Sequence, residues 1–294
     1  MEYTYKAGSI RVPDTVGLSL KDTLECGQCF RFQRLGNEDY LVAAMGRALR
    51  LQRKDGAVIF HDTAPKDFEN IWVPYFDFER DYQAIKNTLA ETGGHIENAI
   101  RHAPGIKILR QDFFECLISF IMSQNKKIPM IKEALGNISA AFGRPLGEYS
   151  GNTVYSFPSP EALINAGEAG LRDCKAGFRA KYMIDAAEKI HSGAISPEKL
   201  MEMDTLSARA ALMEIRGVGP KVADCVLLFS LGRHEVFPTD VWVKRIMSDL
   251  YFQKADVPLK DIQGCAETHF GSLAGFAQQY LFNYARDFRI GTKS

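Results

Sequence analysis

Two residues stand out for what their type and position could do. Lys221 lies in "EIRGVGPKVADCVLLF", straight after Gly-Val-Gly-Pro and at the mouth of an apolar run. Asp240 follows nineteen positions later, in "FPTDVWVKRIM", again just ahead of a run with helical apolar spacing. A lysine near the second position of a buried helix meets the positive end of the helix dipole and loses water. Both effects disfavour its ammonium form. The neutral amine that remains is a nucleophile for an electrophilic carbon. A carboxylate opposite it would stabilise positive charge growing on that carbon and help move protons. Asp240 also reads as an N-cap for the helix that follows, and the two roles are compatible.

The residues around this pair extend the pattern. Gly217 and Gly219 permit backbone angles and approaches that a Cβ forbids, and Pro220 suits the first turn of a helix. Free N–H groups at such a helix start form an anion site, for which a nucleic-acid phosphate is a natural occupant. The same glycines read equally as a tight turn between packed helices. Cys225 comes one turn after Lys221 and shares its helix face; as a small free thiol it would also suit a core. Gln278 and Phe282 are four apart on the last helical segment, where Phe282 alone reads as core. "RDCKAGFRAKY" groups Arg172, Lys175, Arg179 and Lys181 around Phe178, the most basic aromatic stretch of the chain. Asn125 ends "SQN", where it reads as a helix C-cap, with Lys126 and Lys127 after it.

These side chains need a frame. Residues 1 to about 80 carry short alternating runs, with "LECGQCFRFQRL" alternating around Phe30 and Phe32. Asp55–Gly56 between two such runs is a strong hairpin signal. Gly27 in this stretch reads as a strand bulge. From Tyr75 onward the apolar period becomes helical. "DFFECLISFIMSQ" is apolar nearly all round and predicts a core helix. The remainder predicts an all-helical bundle, with a last helix over about 272–286. The expected fold class is α+β: an antiparallel sheet domain over 1–104 packed on a mostly helical domain over 105–294, its hairpin at about 208–232.

Composition bounds the function. Lysine plus arginine equals aspartate plus glutamate, 36 each, so a polyanion partner requires a local basic face rather than bulk charge. The six cysteines are scattered. The lone CxxC at Cys26 and Cys29 has no second pair, which argues against a zinc site, and no four-cysteine cluster spacing follows the hairpin. Reduced thiols, no signal peptide and no membrane-length apolar run predict an intracellular protein with no membrane partner.

"GVGPKVADC" with its later aspartate resembles the helix-hairpin-helix DNA glycosylases, and within them the 8-oxoguanine DNA glycosylases. "GQCFRF", "ECLISFIMSQN", "AGFRAKY", "FPTDV" and "GFAQQYLF" extend the resemblance, in order, along most of the chain. It implies a base-excision enzyme that acts as a monomer on double-stranded DNA containing 8-oxoguanine, flips the lesion out and cleaves its glycosidic bond. Lys221 would attack C1′, form a Schiff base with the opened sugar and allow strand cleavage by β-elimination, with Asp240 facing the sugar. Phe282 and Cys225 would sandwich the base and Gln278 would bond its Watson–Crick edge. The Gly27 carbonyl would accept from the N7–H that 8-oxoguanine has and guanine lacks. Asn125 would fill the duplex gap, Phe178 would act as a wedge and Arg179 would contact the opposite cytosine. Gly217 and Gly219 would approach a phosphate. No cofactor is implied as required; carbonyls of the hairpin would take a monovalent cation.

Two positions depart from the family pattern. Met130 stands where a second arginine usually reads the opposite cytosine, which predicts relaxed choice of that base. Trp242 stands where better-known members have histidine, so a phosphate contact or proton relay there is in doubt. The alternatives are an alkylpurine glycosylase of the same fold, which shares the aspartate and usually lacks the lysine, and a DNA-binding module without chemistry.

Overall fold

The computed structural model describes residues 1–149, 151–253 and 256–290. The N-terminal part is one six-stranded antiparallel sheet. Its strands are Thr4–Lys6 (β1), Ser9–Pro13 (β2), Phe32–Gly36 (β3), Asp39–Ala44 (β4), Arg47–Lys54 (β5) and Ala57–Phe60 (β6), in spatial order β1-β2-β6-β5-β4-β3. The Asp55–Gly56 hairpin forms as expected, both residues having positive φ, as a tight primed turn requires. Met45–Gly46 turns the chain between β4 and β5 in the same way. One face buries Ile10, Val12, Leu49, Leu51, Val58 and Phe60 against Phe68, Trp72, Tyr75, Phe76 and Phe78.

The alternation in "LECGQCFRFQRL" does not form one strand, and Gly27 is not in a strand bulge. Leu20–Leu24 is a short helix, 25–31 is irregular loop, and β3 begins only at Phe32. The physical reason is that the two phenylalanines serve different cores. Phe32 packs beside the sheet core, whereas Phe30 enters the helical core with its ring 5.8 Å from Phe120.

The helical core holds the predicted buried helix Phe113–Ser123, in which Glu115 and Ser123 alone escape burial. Sharing its core are Ile128–Phe142, Pro160–Asp173, Ala180–His191, Thr205–Met213, Pro220–Phe229, Val241–Leu250, Leu259–Phe270 and Ala274–Phe288. The last of these starts and ends two residues later than expected. The second half is not wholly helical. Pro145–Tyr149 (β7) and Asn152–Tyr155 (β8) form a small antiparallel hairpin, where Thr153, Val154 and Tyr155 favour extended backbone and Gly151 takes φ 78°. The apolar side chains of Tyr82–Ala103 belong to the helical core, and the sheet core ends at Phe78 with Leu109 as a later member.

The segment 105–111 stitches the two cores together. Ser19 N–H donates to the Gly105 carbonyl at 2.8 Å, and Gln111 N–H donates to the Phe229 carbonyl at 2.7 Å. A Cβ at Gly105 would stand 2.7 Å from that of Ser19, so only glycine permits this approach. On the far side, His234 stacks on Phe276 at 4.6 Å and its carbonyl accepts from Gly275 N–H at 2.7 Å, seating the C-terminal helix. Burial, with Arg80 adding to it, pushes the His234 imidazole down to about 4. Unfolded histidine takes up its proton near pH 6.5, so between about 6.5 and 4 the unfolded chain binds the extra proton. Stability should therefore fall as pH drops through that window. His234→Phe should flatten this slope, measured as midpoint of urea unfolding against pH.

Candidate active site

The hairpin explains where Lys221 sits. Thr205–Met213 leads into a turn, and Pro220–Phe229 follows with Lys221 at its second position. Every residue from Val222 to Phe229 is buried, while Lys221 is half-buried at the mouth. Gly217 needs to be glycine: its φ is 78°, and a Cβ there would lie 2.5 Å from the Tyr182 ring. Gly219 differs. No other group lies within 4 Å of where its Cβ would stand, so its bareness serves approach from outside rather than packing. No side chain caps this helix start, which leaves its first N–H groups open.

The amine of Lys221 is held. Its Nζ donates to Ser123 Oγ at 3.3 Å and lies 4.9 Å from the centroid of the Phe120 ring. Ser123 Oγ in turn donates to the Phe120 carbonyl at 2.8 Å. The Cys225 thiol lies on the same helix face. Burial pushes that thiol up to about 12; Lys221 opposes the shift, while Asp224 and Asp240 add to it. Lys221, Cys225 and Asp240 thus share one electrostatic neighbourhood. Asp240 caps Val241–Leu250, its Oδ1 accepting from Val243 N–H at 2.8 Å, so the capping role is real and fixes the carboxylate.

The base-reading candidates come from two cores. Gln278 is buried and Phe282 half-buried on the C-terminal helix, where Gln279 Nε2 donates to Gln278 Oε1 at 3.1 Å. Gly27 arrives on the loop 25–31, and a Cβ there would be 3.3 Å from the Phe282 ring. Two residues not foreseen hold this loop. Gln28 is fully buried; its Nε2 donates to the carbonyls of Thr23 and Lys107 at 2.8 Å each, and its Oε1 accepts from Leu109 N–H at 2.9 Å. Arg286 donates from Nη1 to the Glu25 carbonyl, tying the loop to the helix that carries Gln278 and Phe282. The spacing 278, 282, 286 could have revealed Arg286, since residues four apart share a helix face.

The DNA-face candidates lie at the surface, with one exception. Asn125 is exposed, in the left-handed region at φ 49°, just after the core helix. Phe178 is 52% exposed and Met130 51%. Trp242, 41% exposed, lies two residues past Asp240, with Arg245 Cζ 5.5 Å from its ring centroid. Arg179 is the exception. It is buried, donating from Nε to the Gln124 carbonyl at 2.9 Å and from Nη2 to the Gln124 and Asn125 carbonyls, with Cζ 4.3 Å from the Phe178 ring. Lys126 donates to the Lys175 carbonyl at 2.5 Å. Cys26 and Cys29 are both buried, and no metal-binding group of three or more His, Cys, Asp or Glu exists among the described residues. Among those residues no helix is long and apolar enough to cross a membrane.

Comparison with known proteins follows this geometry. Residues 118–267 match the HhH-GPD superfamily of base excision DNA repair proteins. Residues 9–117 match the N-terminal domain of 8-oxoguanine DNA glycosylase. An N-glycosylase/DNA lyase of Arabidopsis thaliana is 30% identical over 280 residues, 90% of this chain and 76% of that protein. The 8-oxoguanine glycosylase/lyase of Clostridium acetobutylicum, solved with double-stranded DNA containing cytosine opposite 8-oxoguanine, superposes with a TM-score of 0.93. It is 40% identical, covering 99% of each chain. MBOgg1, solved with a low-affinity DNA ligand, also gives 0.93, at 44% identity over 98% of this chain and 100% of that one. The fold and hairpin therefore define a base-excision repair protein of the HhH-GPD superfamily. Within it, the chain belongs to the 8-oxoguanine DNA glycosylase family.

Gly27→Ala should be a selective lesion. The left-handed backbone would cost about 1–2 kcal/mol for any residue with a Cβ, and the new methyl would press on Phe282. Release of 8-oxoguanine should fall by about tenfold, the equivalent of about 1.4 kcal/mol. Borohydride trapping on DNA with a preformed abasic site, which holds no base, should stay near the wild-type level.

Proposed function

We propose that this chain is a bifunctional enzyme that removes 8-oxoguanine from duplex DNA and then nicks the strand, with Lys221 as nucleophile. The observation that supports the mechanism most directly is the Lys221 amine fixed against Ser123 and Phe120, with a buried thiol on the same helix face; the Asp240 carboxylate is fixed as an N-cap. The substrate class is supported by the N-terminal domain type and by relatives of 40% identity over nearly the whole chain.

In this reading the extruded nucleotide enters between the two cores. The Lys221 amine forms a bond to C1′ as the N-glycosidic bond breaks, and that electron pair leaves with the base. The Asp240 carboxylate stabilises positive charge on the sugar during this exchange. The secondary amine then opens the ring to a Schiff base; loss of a C2′ proton expels the 3′ phosphate and nicks the strand. Gly27, Gln278, Phe282 and Cys225 read and stack the base. Asn125 and Phe178 fill and wedge the gap. The base pairing lost on extrusion costs a few kcal/mol, so gap-filling is part of catalysis. Trp242 offers an aromatic surface where a histidine would offer a charge. The turn 214–219 carries backbone carbonyls, neutral oxygen donors that suit a monovalent cation rather than a transition metal, and no step above depends on one.

Lys221→Gln should lose base release by about a thousandfold or more and lose all borohydride-trapped adduct. Full-rate release by that variant would refute the mechanism. An alkylpurine glycosylase would release 3-methyladenine and form no trapped adduct. Met130 removes a guanidinium fork worth about 1–3 kcal/mol of base discrimination. Excision opposite adenine, guanine and thymine should therefore lie within about tenfold of that opposite cytosine, and Met130→Arg should widen the gap. A steep preference for cytosine in the unaltered chain would count against this.

A further inference from the structure

Lys221 has a flexible four-carbon stem, so its reactive nitrogen must be aimed by something. Phe120 attracts the nitrogen only as an ammonium, because a ring face binds cations. Once the proton is gone that attraction fades. Cys225 is on the lysine's own helix, so it moves with the nucleophile and cannot fix it against the other core elements. Ser123 is different on both counts. It closes the neighbouring core helix Phe113–Ser123, and its hydroxyl proton is already donated to the Phe120 carbonyl at 2.8 Å. Its oxygen can therefore meet Lys221 only as an acceptor, at 3.3 Å. An acceptor binds an N–H of the ammonium and of the neutral amine alike.

We propose that Ser123 is the positioning residue of the nucleophile: it holds one N–H of the neutral Lys221 amine and so directs the lone pair toward the extruded sugar. This rests on Lys221 as the nucleophile. The helix-end bond from Ser123 to the carbonyl three residues back is ordinary by itself. Its consequence is not, since it removes the rotational freedom that would let the hydroxyl donate to the amine and block its lone pair. Phe120, whose carbonyl takes the Ser123 proton, is itself fixed, stacked on Phe229 at 5.5 Å and met edge-on by Phe30.

The test compares Ser123→Ala, Ser123→Val and Ser123→Thr in the full chain, with Lys221→Gln as reference. Threonine and valine have the same shape and differ only in the hydroxyl. Single-turnover release of 8-oxoguanine is measured at saturating enzyme, and affinity is measured on a duplex with a tetrahydrofuran abasic analogue. Alanine and valine should each slow release about tenfold, the loss of one hydrogen bond to a reacting group, with Kd within about twofold and unfolding midpoints near wild type. Threonine should stay within about threefold of the parent rate. Valine as fast as threonine, or a loss confined to Kd, would overturn the proposal. The two readings fail separately. If Lys221→Gln is inactive while valine at 123 keeps full rate, only the role of Ser123 falls. If Lys221→Gln releases base at full rate, the nucleophile assignment falls first.

Discussion

The site depends on one contact across a helix interface: the amine of Lys221 against the end of the core helix at Ser123 and Phe120. A lysine at the second position of a buried helix is awkward. Its stem must leave the apolar interior while its nitrogen stays near the surface where a substrate arrives. The fold meets this by ending the core helix at the same level as the hairpin helix begins. The uncapped N-terminus of one and the last turn of the other are joined there by the Lys221–Ser123 contact. Moving either end by a turn, about 5.4 Å, would bury the amine or release it to solvent.

That constraint reaches the sheet domain. In the proposed mechanism the Gly27 carbonyl on the loop 25–31 reads the base, while Lys221 and Asp240 belong to the helical core. The loop is therefore held from both sides. Gln28 stitches it to the segment 105–111, and Arg286 ties Glu25 to the helix that bears Gln278 and Phe282. A fully buried glutamine is costly unless its polar atoms are paired, and here both amide nitrogen and oxygen are. The polar seam is thus what sets the loop 25–31 in register with the helix that bears Gln278 and Phe282.

Much of this was legible in the sequence, and the limits have a common cause. The Asp55–Gly56 hairpin, the all-apolar core helix and the place of Lys221 are local signals, decided within a turn or a few turns of chain. Asp240 as a cap is local too. Phe30 and Phe32 misled because alternation cannot tell one sheet face from a chain leaving its sheet for another core. The small hairpin of β7 and β8 is missed because its strands are only five and four residues long, too short for alternation to stand out. Ser123 and Gln28 were beyond reach for a different reason: their partners lie 98 and about 80 positions away, and a hydroxyl or amide carries no period to announce them.

The opposite-base side shows how a missing residue and a spent one act together. Arg179 donates from Nε and Nη2 into the loop carbonyls of Gln124 and Asn125, which leaves Nη1 as the nitrogen outside that grip. Two parallel bonds to one base edge require two nitrogens of the fork, so in this conformation Arg179 cannot make them. Met130 supplies no second fork. The same bonds hold Asn125 in the left-handed conformation from which it would enter a duplex gap. In the proposed mechanism, where Asn125 fills the gap and Arg179 meets the orphaned base, freeing Arg179 would loosen Asn125, so the two tasks compete for one guanidinium whose hydrogen bonds here go to the loop.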